Sequence, residues 1–176
     1  MRNRNGFTLI ELIVVLALAA ILATVAVPGL SRLSAKERVV ARTNSLLRAL
    51  QYARGIAVRR GRRVIICGRT EDGDCSDSTG AWSAGWLVFI NRDGSYPPHV
   101  DDGDDLLRVR KGGEDGAATV FSNRRYFEFT ARGTAINGTL TVCPPRDDIA
   151  ARALVISNVG RVRGTKRSPA RSRSDC

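Results

Sequence analysis

The stretch from Phe7 to Val27 constrains this chain more than any other. It holds 21 residues, of which Glu11 alone is charged. As an α-helix rising roughly 1.5 Å per residue it would reach about 31 Å, close to the ~30 Å apolar thickness of a bilayer. A short polar leader, Met1 to Asn5, precedes it and carries Arg2 and Arg4. A secretory signal peptide would place its small-residue cleavage site after the apolar run. Here the small residue at the boundary is Gly6, ahead of the run, so cleavage there leaves the apolar segment on the mature chain.

Glu11 demands a partner, because a carboxylate at the centre of a membrane helix costs about 2.5–3.5 kcal/mol. One reading places it near the interface, hydrogen-bonded at the start of a helix, where the dipole favours an acid. The other pairs it with a cation, and an amino terminus created at Phe7 is the natural candidate. Phe7 and Glu11 are i,i+4 neighbours, so the pair can form within one chain as well as between chains.

The string Gly6-Phe7-Thr8-Leu9-Ile10-Glu11, with its carboxylate at the fifth position after the glycine, resembles the class III leader of type IV pilins and type II secretion pseudopilins. The resemblance implies that a prepilin peptidase cuts between Gly6 and Phe7 and N-methylates Phe7. It also implies that Glu11 is an assembly residue, meeting a neighbouring subunit's terminus and setting register in a filament. The amino end would lie in the cytoplasm, with one pass through the bacterial inner membrane and the bulk of the chain in the periplasm. Loop charge does not decide this orientation: Arg2 and Arg4 lie on one side, and Arg32, Lys36 and Arg38 lie close on the other.

Of the 176 residues, about 145 follow the anchor, enough for one domain with a single modest core. The net charge of +11 is unevenly placed. Between Arg32 and Arg63 ten basic residues face one acid, Glu37, and six more stand from Arg161 onward against Asp175. The acids gather in two loops, at 71–77 and 101–105. Segregated cationic segments point to a polyanion partner, either nucleic acid or anionic lipid.

Four cysteines in an oxidising compartment would pair, and three connectivities are open. Spacing favours Cys67 with Cys75, closing a short acidic loop, and Cys143 with Cys176, tying the last residue to the fold. A metal site is not expected, since the sequence has no C-x-x-C pair and His99 is its only histidine. The acidic run 101–105 does not follow the EF-hand pattern and reads better as a solvated turn than as a calcium loop.

Beyond Pro28-Gly29 apolar residues recur at helical spacing, through Leu33, Val39, Leu46, Leu50, Ala53 and Ala57. The expectation is one long helix from about Phe7 to Arg60, with Pro28 as the point where it could kink, an amphipathic second half and a Gly61 cap. Short β runs follow at 63–67, 86–90, 106–110, 119–121, 125–129, 139–142, 153–156 and 161–163, with Asn137-Gly138 as a hairpin signal. A helix followed by strands predicts an α+β fold, with an antiparallel sheet or sandwich docked on the helix. The expected segments are a leader (1–6), a transmembrane and assembly stretch (7–30), an amphipathic half-helix (31–61), a β-rich domain (62–163) and a mobile basic tail (164–176).

Two further features are Trp82-Ser83-Ala84-Gly85-Trp86-Leu87-Val88-Phe89 followed by Asn91-Arg92-Asp93-Gly94, and Leu154 to Ile156 running into Gly160-Arg161-Val162-Arg163. With the leader, they make the whole chain resemble the GspH/FimT group of minor pilins and pseudopilins. The Gly-Arg-x-Arg element resembles that of the FimT branch, whose members bind DNA in natural transformation. The implied function is a minor type IV pilin that holds extracellular DNA during uptake, exposed on a pilus built with other major and minor pilins. Two alternatives stay open: a GspH-like pseudopilin of type II secretion, and an assembly-priming or adhesive minor pilin that binds no DNA.

The residues support the DNA reading in their own right. In a strand Arg161 and Arg163 would point to one face, about 7 Å apart, with Val162 inward. Forked guanidiniums at that spacing suit successive phosphates, and Gly160 permits the turn. Lys166 and Arg167 would extend the patch, with Arg171 and Arg173 as weaker additions. Nothing implies base readout, so binding should be sequence-independent and salt-sensitive. Against this stands a solvated hairpin whose arginines pair with the acidic loops. Arg32, Lys36, Arg38 and Arg42 are expected near lipid headgroups or neighbouring subunits. Trp82 and Trp86 are expected in the core rather than stacked on bases. With no phosphate loop, nucleophile elbow or clustered metal-binding carboxylates, no enzyme and no cofactor are expected.

Overall fold

A computed structural model describes residues 8–112, 118–166 and 176. Among the described residues one α-helix, α1 (Leu9–Arg60), is followed by eight strands, with a short 3-10 turn at Ala81–Ala84 between the first two: β1 (Val64–Gly68), β2 (Gly85–Ile90), β3 (Asp105–Lys111), β4 (Thr119–Ser122), β5 (Tyr126–Phe129), β6 (Gly138–Cys143), β7 (Arg152–Ile156) and β8 (Val162–Lys166). The chain forms two compact units, residues 1–34 and 35–176, and α1 contributes to both.

The described part of the first unit is helix with a capped start. The Thr8 hydroxyl accepts the Glu11 amide at 3.3 Å, and the Thr8 carbonyl accepts the Leu12 amide at 3.2 Å. Leu9, Ile10, Leu12 and Ile13 are all more than half exposed. Among the described residues α1 is the one helix long and apolar enough to cross a membrane. α1 runs through Pro28 without a break.

In the second unit α1 turns its apolar stripe into the core. Val39, Leu46, Leu50, Ala53 and Ala57 are buried among Val64, Ile66, Phe127, Phe129, Leu140, Leu154 and Ile156. Arg59 and Arg60 stand in the last turn, where cations offset the partial negative charge of the free carbonyls. Gly61, at φ +63°, lets the chain reverse so that the Arg62 amide reaches the Ala57 carbonyl at 3.3 Å.

The strands form two antiparallel sheets, ordered β3-β2-β1-β5 and β4-β6-β7-β8. This is the expected α+β architecture, with the core shared by α1 and both sheets. β1 and β2 are buried along their whole length, which explains why they read as unbroken apolar runs. Val64 and Ile66 face α1. Ile65, Cys67, Leu87 and Phe89 form a second cluster with Cys75, Val100 and Tyr126. The Cys67–Cys75 bond, with Cα atoms 5.5 Å apart, closes the acidic loop beside that cluster. Cys143 is bonded to Cys176, with Cα atoms 5.8 Å apart.

Two local expectations change. Asn137-Gly138 does not turn a hairpin between β5 and β6, because β5 pairs with β1 and β6 pairs with β4 and β7. Phe127 and Phe129 are fully buried, and placing β5 beside β1 puts both rings in the core. The chain therefore crosses between sheets at this point. Secondly, β8 continues through Gly164 and Thr165 to Lys166, past the expected start of the tail.

Candidate nucleic-acid interface

The Gly-Arg-x-Arg element sits on the β7–β8 hairpin, and β8 is an edge strand. Gly160 closes the turn, its amide donating to the Ser157 carbonyl at 2.8 Å, with φ at +71°. The Ser157 amide then donates to the Arg161 carbonyl at 3.0 Å, and the Arg161 amide to the Ser157 hydroxyl at 3.3 Å. A side chain at Gly160 would collide with the Gly133 carbonyl oxygen and stand 2.9 Å from Nε of Arg54. Glycine is therefore required twice, by conformation and by space.

The register sorts the basic residues. Val162 pairs with Ile156 and packs against the core, while Arg163 pairs with Val155 and is exposed. Arg161, one residue before the strand, is also exposed. Neither makes an ion pair among the described residues. The acidic loops pair elsewhere: Asp105 with Arg92 at 2.8 Å and Arg60 at 3.4 Å, and Asp77 with Arg125 at 3.2 Å. Lys166 stands opposite Arg152, in the alternation of Val162 and Gly164 and thus on the other face from Arg163. Arg167, Arg171, Arg173, Gly6 and Phe7 lie outside the described residues.

Arg54 secures the hairpin from the helix. Its Nε donates to the Gly133 carbonyl at 3.0 Å and its Nη2 to the Val159 carbonyl at 3.1 Å. The Ala135 amide adds a bond to the Asn158 carbonyl at 2.9 Å. Between helix and hairpin lies an open cleft of about 560 Å³, with Gln51, Arg54 and Arg59 on one side and Arg161 on the other. In sequence these helix arginines belong to a basic run, with Arg59 also suited to the helix's carboxyl end, and the cleft stays hidden because it joins segments about a hundred residues apart.

Arg42 departs from expectation. It is buried, with Nη2 donating to the carbonyls of Ser83 at 2.9 Å and Trp82 at 3.3 Å, and its guanidinium 4.6 Å from the Trp86 ring centre. Burial, and then the charge of Arg110, push its pKa below the usual guanidinium value. It is an interior fastening, unavailable to lipid headgroups. Trp82 and Trp86 are core, as expected.

A long helix with an exposed apolar amino half, packed through its second half on antiparallel sheets, defines a pilin-like protein. The profile described as "Type II transport protein GspH" matches residues 42–160, and the "Prokaryotic N-terminal methylation motif" matches residues 1–27. The chain belongs to the GspH family of minor-pilin and pseudopilin-like proteins, a structural family rather than an enzyme class. Among solved structures it is similar to the type IV minor pilin FimU of Pseudomonas aeruginosa. One crystal form gives a TM-score of 0.56 at 24% identity, covering 80% of this chain and 96% of that one. A second gives 0.49 at 26%, covering 81% and 98%. No curated protein matches the chain. The motif and the apolar helix fit a membrane-anchored pilin.

Proposed function

We propose that the chain is a minor type IV pilin that binds DNA through the phosphate backbone, without regard to sequence, for uptake in natural transformation. The observation that carries this reading is the hairpin: Arg161 and Arg163 are exposed on a turn and an edge strand, with no carboxylate paired to either among the described residues. Guanidiniums held this way keep their forked donors for phosphate oxygens. Arg163 and Arg161 form the centre of the patch, Gly160 shapes it, and Lys166 and Arg167 extend its positive field. Prepilin peptidase acts at Gly6 and Phe7. Glu11 meets the methylated terminus of a neighbouring pilin, and the carboxyl-terminal domain reaches the periplasm and then the pilus surface.

A second reading, a pseudopilin of type II secretion that binds only other pseudopilins, is supported by the family's description. Cells carrying Arg161→Ala with Arg163→Ala separate the two. The DNA reading predicts normal piliation, intact secretion and loss of labelled-DNA uptake. Unchanged uptake with impaired secretion would establish the second reading instead.

A further inference from the structure

We infer that the cleft between α1 and the β7–β8 turn is a phosphate seat, in which Arg59 and Arg161 clamp one phosphodiester of a DNA strand laid across the hairpin. The inference rests on the DNA-binding reading and adds helix residues to it. Three observations carry it.

First, the cleft is lined by cations from two separate elements, Arg54 and Arg59 from the helix and Arg161 from the hairpin, and no acid among the described residues lines it. Second, its shape depends on two missing side chains. A Cβ on Gly55 would lie 3.1 Å from Nη1 of Arg59, so the bare backbone lets this guanidinium fold back one turn over the helix. Gly160 does the same for the opposite wall, where the turn closes onto Gly133 and Arg54. Third, the three arginines divide the work. Arg54 spends Nε and Nη2 on carbonyls of the two turns and fixes the width of the cleft. Arg59 and Arg161 make no ion pair among the described residues, and Gln51 adds an amide donor at the rim.

Arg60, next in sequence, is instead bound to Asp105. The carboxyl end of a helix is a poor place for an anion because its free carbonyls carry partial negative charge. Arginines must therefore supply the attraction, and here they do so from both walls. Because the cleft is open and Arg161 stands at its edge, next to the turn that leads into β8, it suits a phosphate of a longer chain better than a single small anion.

The test uses the full chain in neutral nanodiscs, titrated with a fluorescent oligothymidylate at a series of salt concentrations. Arg59→Ala should weaken binding about tenfold, as expected for a lost charge-assisted bond. It should also flatten the slope of log K against log salt by about 0.7, the value for one phosphate contact on a single strand. Gly55→Leu keeps every charge but fills the cleft, and should weaken binding to a similar degree while the thermal melt confirms folding. Arg60→Ala should bind as wild type does.

If Arg59→Ala binds like wild type while Arg161→Ala with Arg163→Ala does not, the seat is overturned and the hairpin reading stands. Equal losses from Arg59→Ala and Arg60→Ala would reduce the effect to general charge and overturn it too. A wild type that binds no DNA removes the underlying reading and the seat together. Should Arg59→Ala spare DNA binding yet reduce capture of the nanodiscs by phosphatidylglycerol vesicles, the cleft serves lipid and the proposal fails.

Discussion

Nη2 of Arg54 donates to the carbonyl of Val159 at 3.1 Å, a bond spanning 105 positions of sequence that ties the helix to the turn presenting Arg161. Its Nε reaches Gly133 on a second turn at 3.0 Å, so one side chain joins three segments. Arg54→Leu should lower stability by about 1.5–3 kcal/mol, since hydrogen bonds from a charged group are lost. Urea unfolding would measure this, and amide exchange at Gly160 and Ala135 should quicken more than in β1.

Gly160 sets the same turn from within. Gly160→Ala forces a side chain into a positive-φ site and against the Gly133 carbonyl. It should cost about 1–3 kcal/mol from backbone strain alone, with the collision added. Gly164→Ala is the control: its nearest neighbour would be Leu154 Cδ2 at 3.8 Å, an ordinary contact. Equal stability losses in the two variants would refute this account of the turn.

Much of this architecture is legible in the chain. The recurrence of Val39, Leu46, Leu50, Ala53 and Ala57 marks the buried stripe of α1, and the apolar runs of β1 and β2 mark strands covered on both faces. The division into two sheets is not legible, because Phe127 and Phe129 specify burial without specifying which strand β5 joins. Arg42 misleads for a related reason. In sequence it is one of ten cations in a basic stretch, yet the carbonyls of Trp82 and Ser83 and the Trp86 ring make an interior place for it. The cleft is invisible for want of proximity, since Arg59 and Arg161 come to line one cleft only through the tertiary fold.

The register of β7 and β8 separates two kinds of basic residue. Lys166 faces Arg152 across the ladder, where like charges destabilise the pairing and an opposite-charge pair would contribute roughly 0.2–1 kcal/mol. Lys166→Glu should therefore stabilise the domain by a few tenths of a kcal/mol. Lys166→Ala should weaken DNA binding less than Arg163→Ala does, because only Arg163 lies on the outer face. Thermal melts and paired binding curves check both statements.

The loop closed by Cys67 and Cys75 covers the cluster of Ile65, Leu87 and Phe89. The chain-entropy model assigns this bond about 2.5 kcal/mol. Cys67→Ala with Cys75→Ala should shift the unfolding midpoint accordingly. DNA binding should be spared, because the bond lies in the β1 sheet and the hairpin in the other.

The central claim, that Arg161 and Arg163 meet phosphates, is tested most directly by salt titration of DNA binding. Full-length wild type is compared with Arg161→Ala, Arg163→Ala and the double variant. Counterion release predicts that log K falls linearly with log salt, and that each single variant flattens the slope by about 0.7 on single-stranded DNA. The double variant should flatten it by about 1.4 and bind weakly throughout. An unchanged slope in the double variant would contradict the claim and place the phosphate contacts elsewhere on the chain.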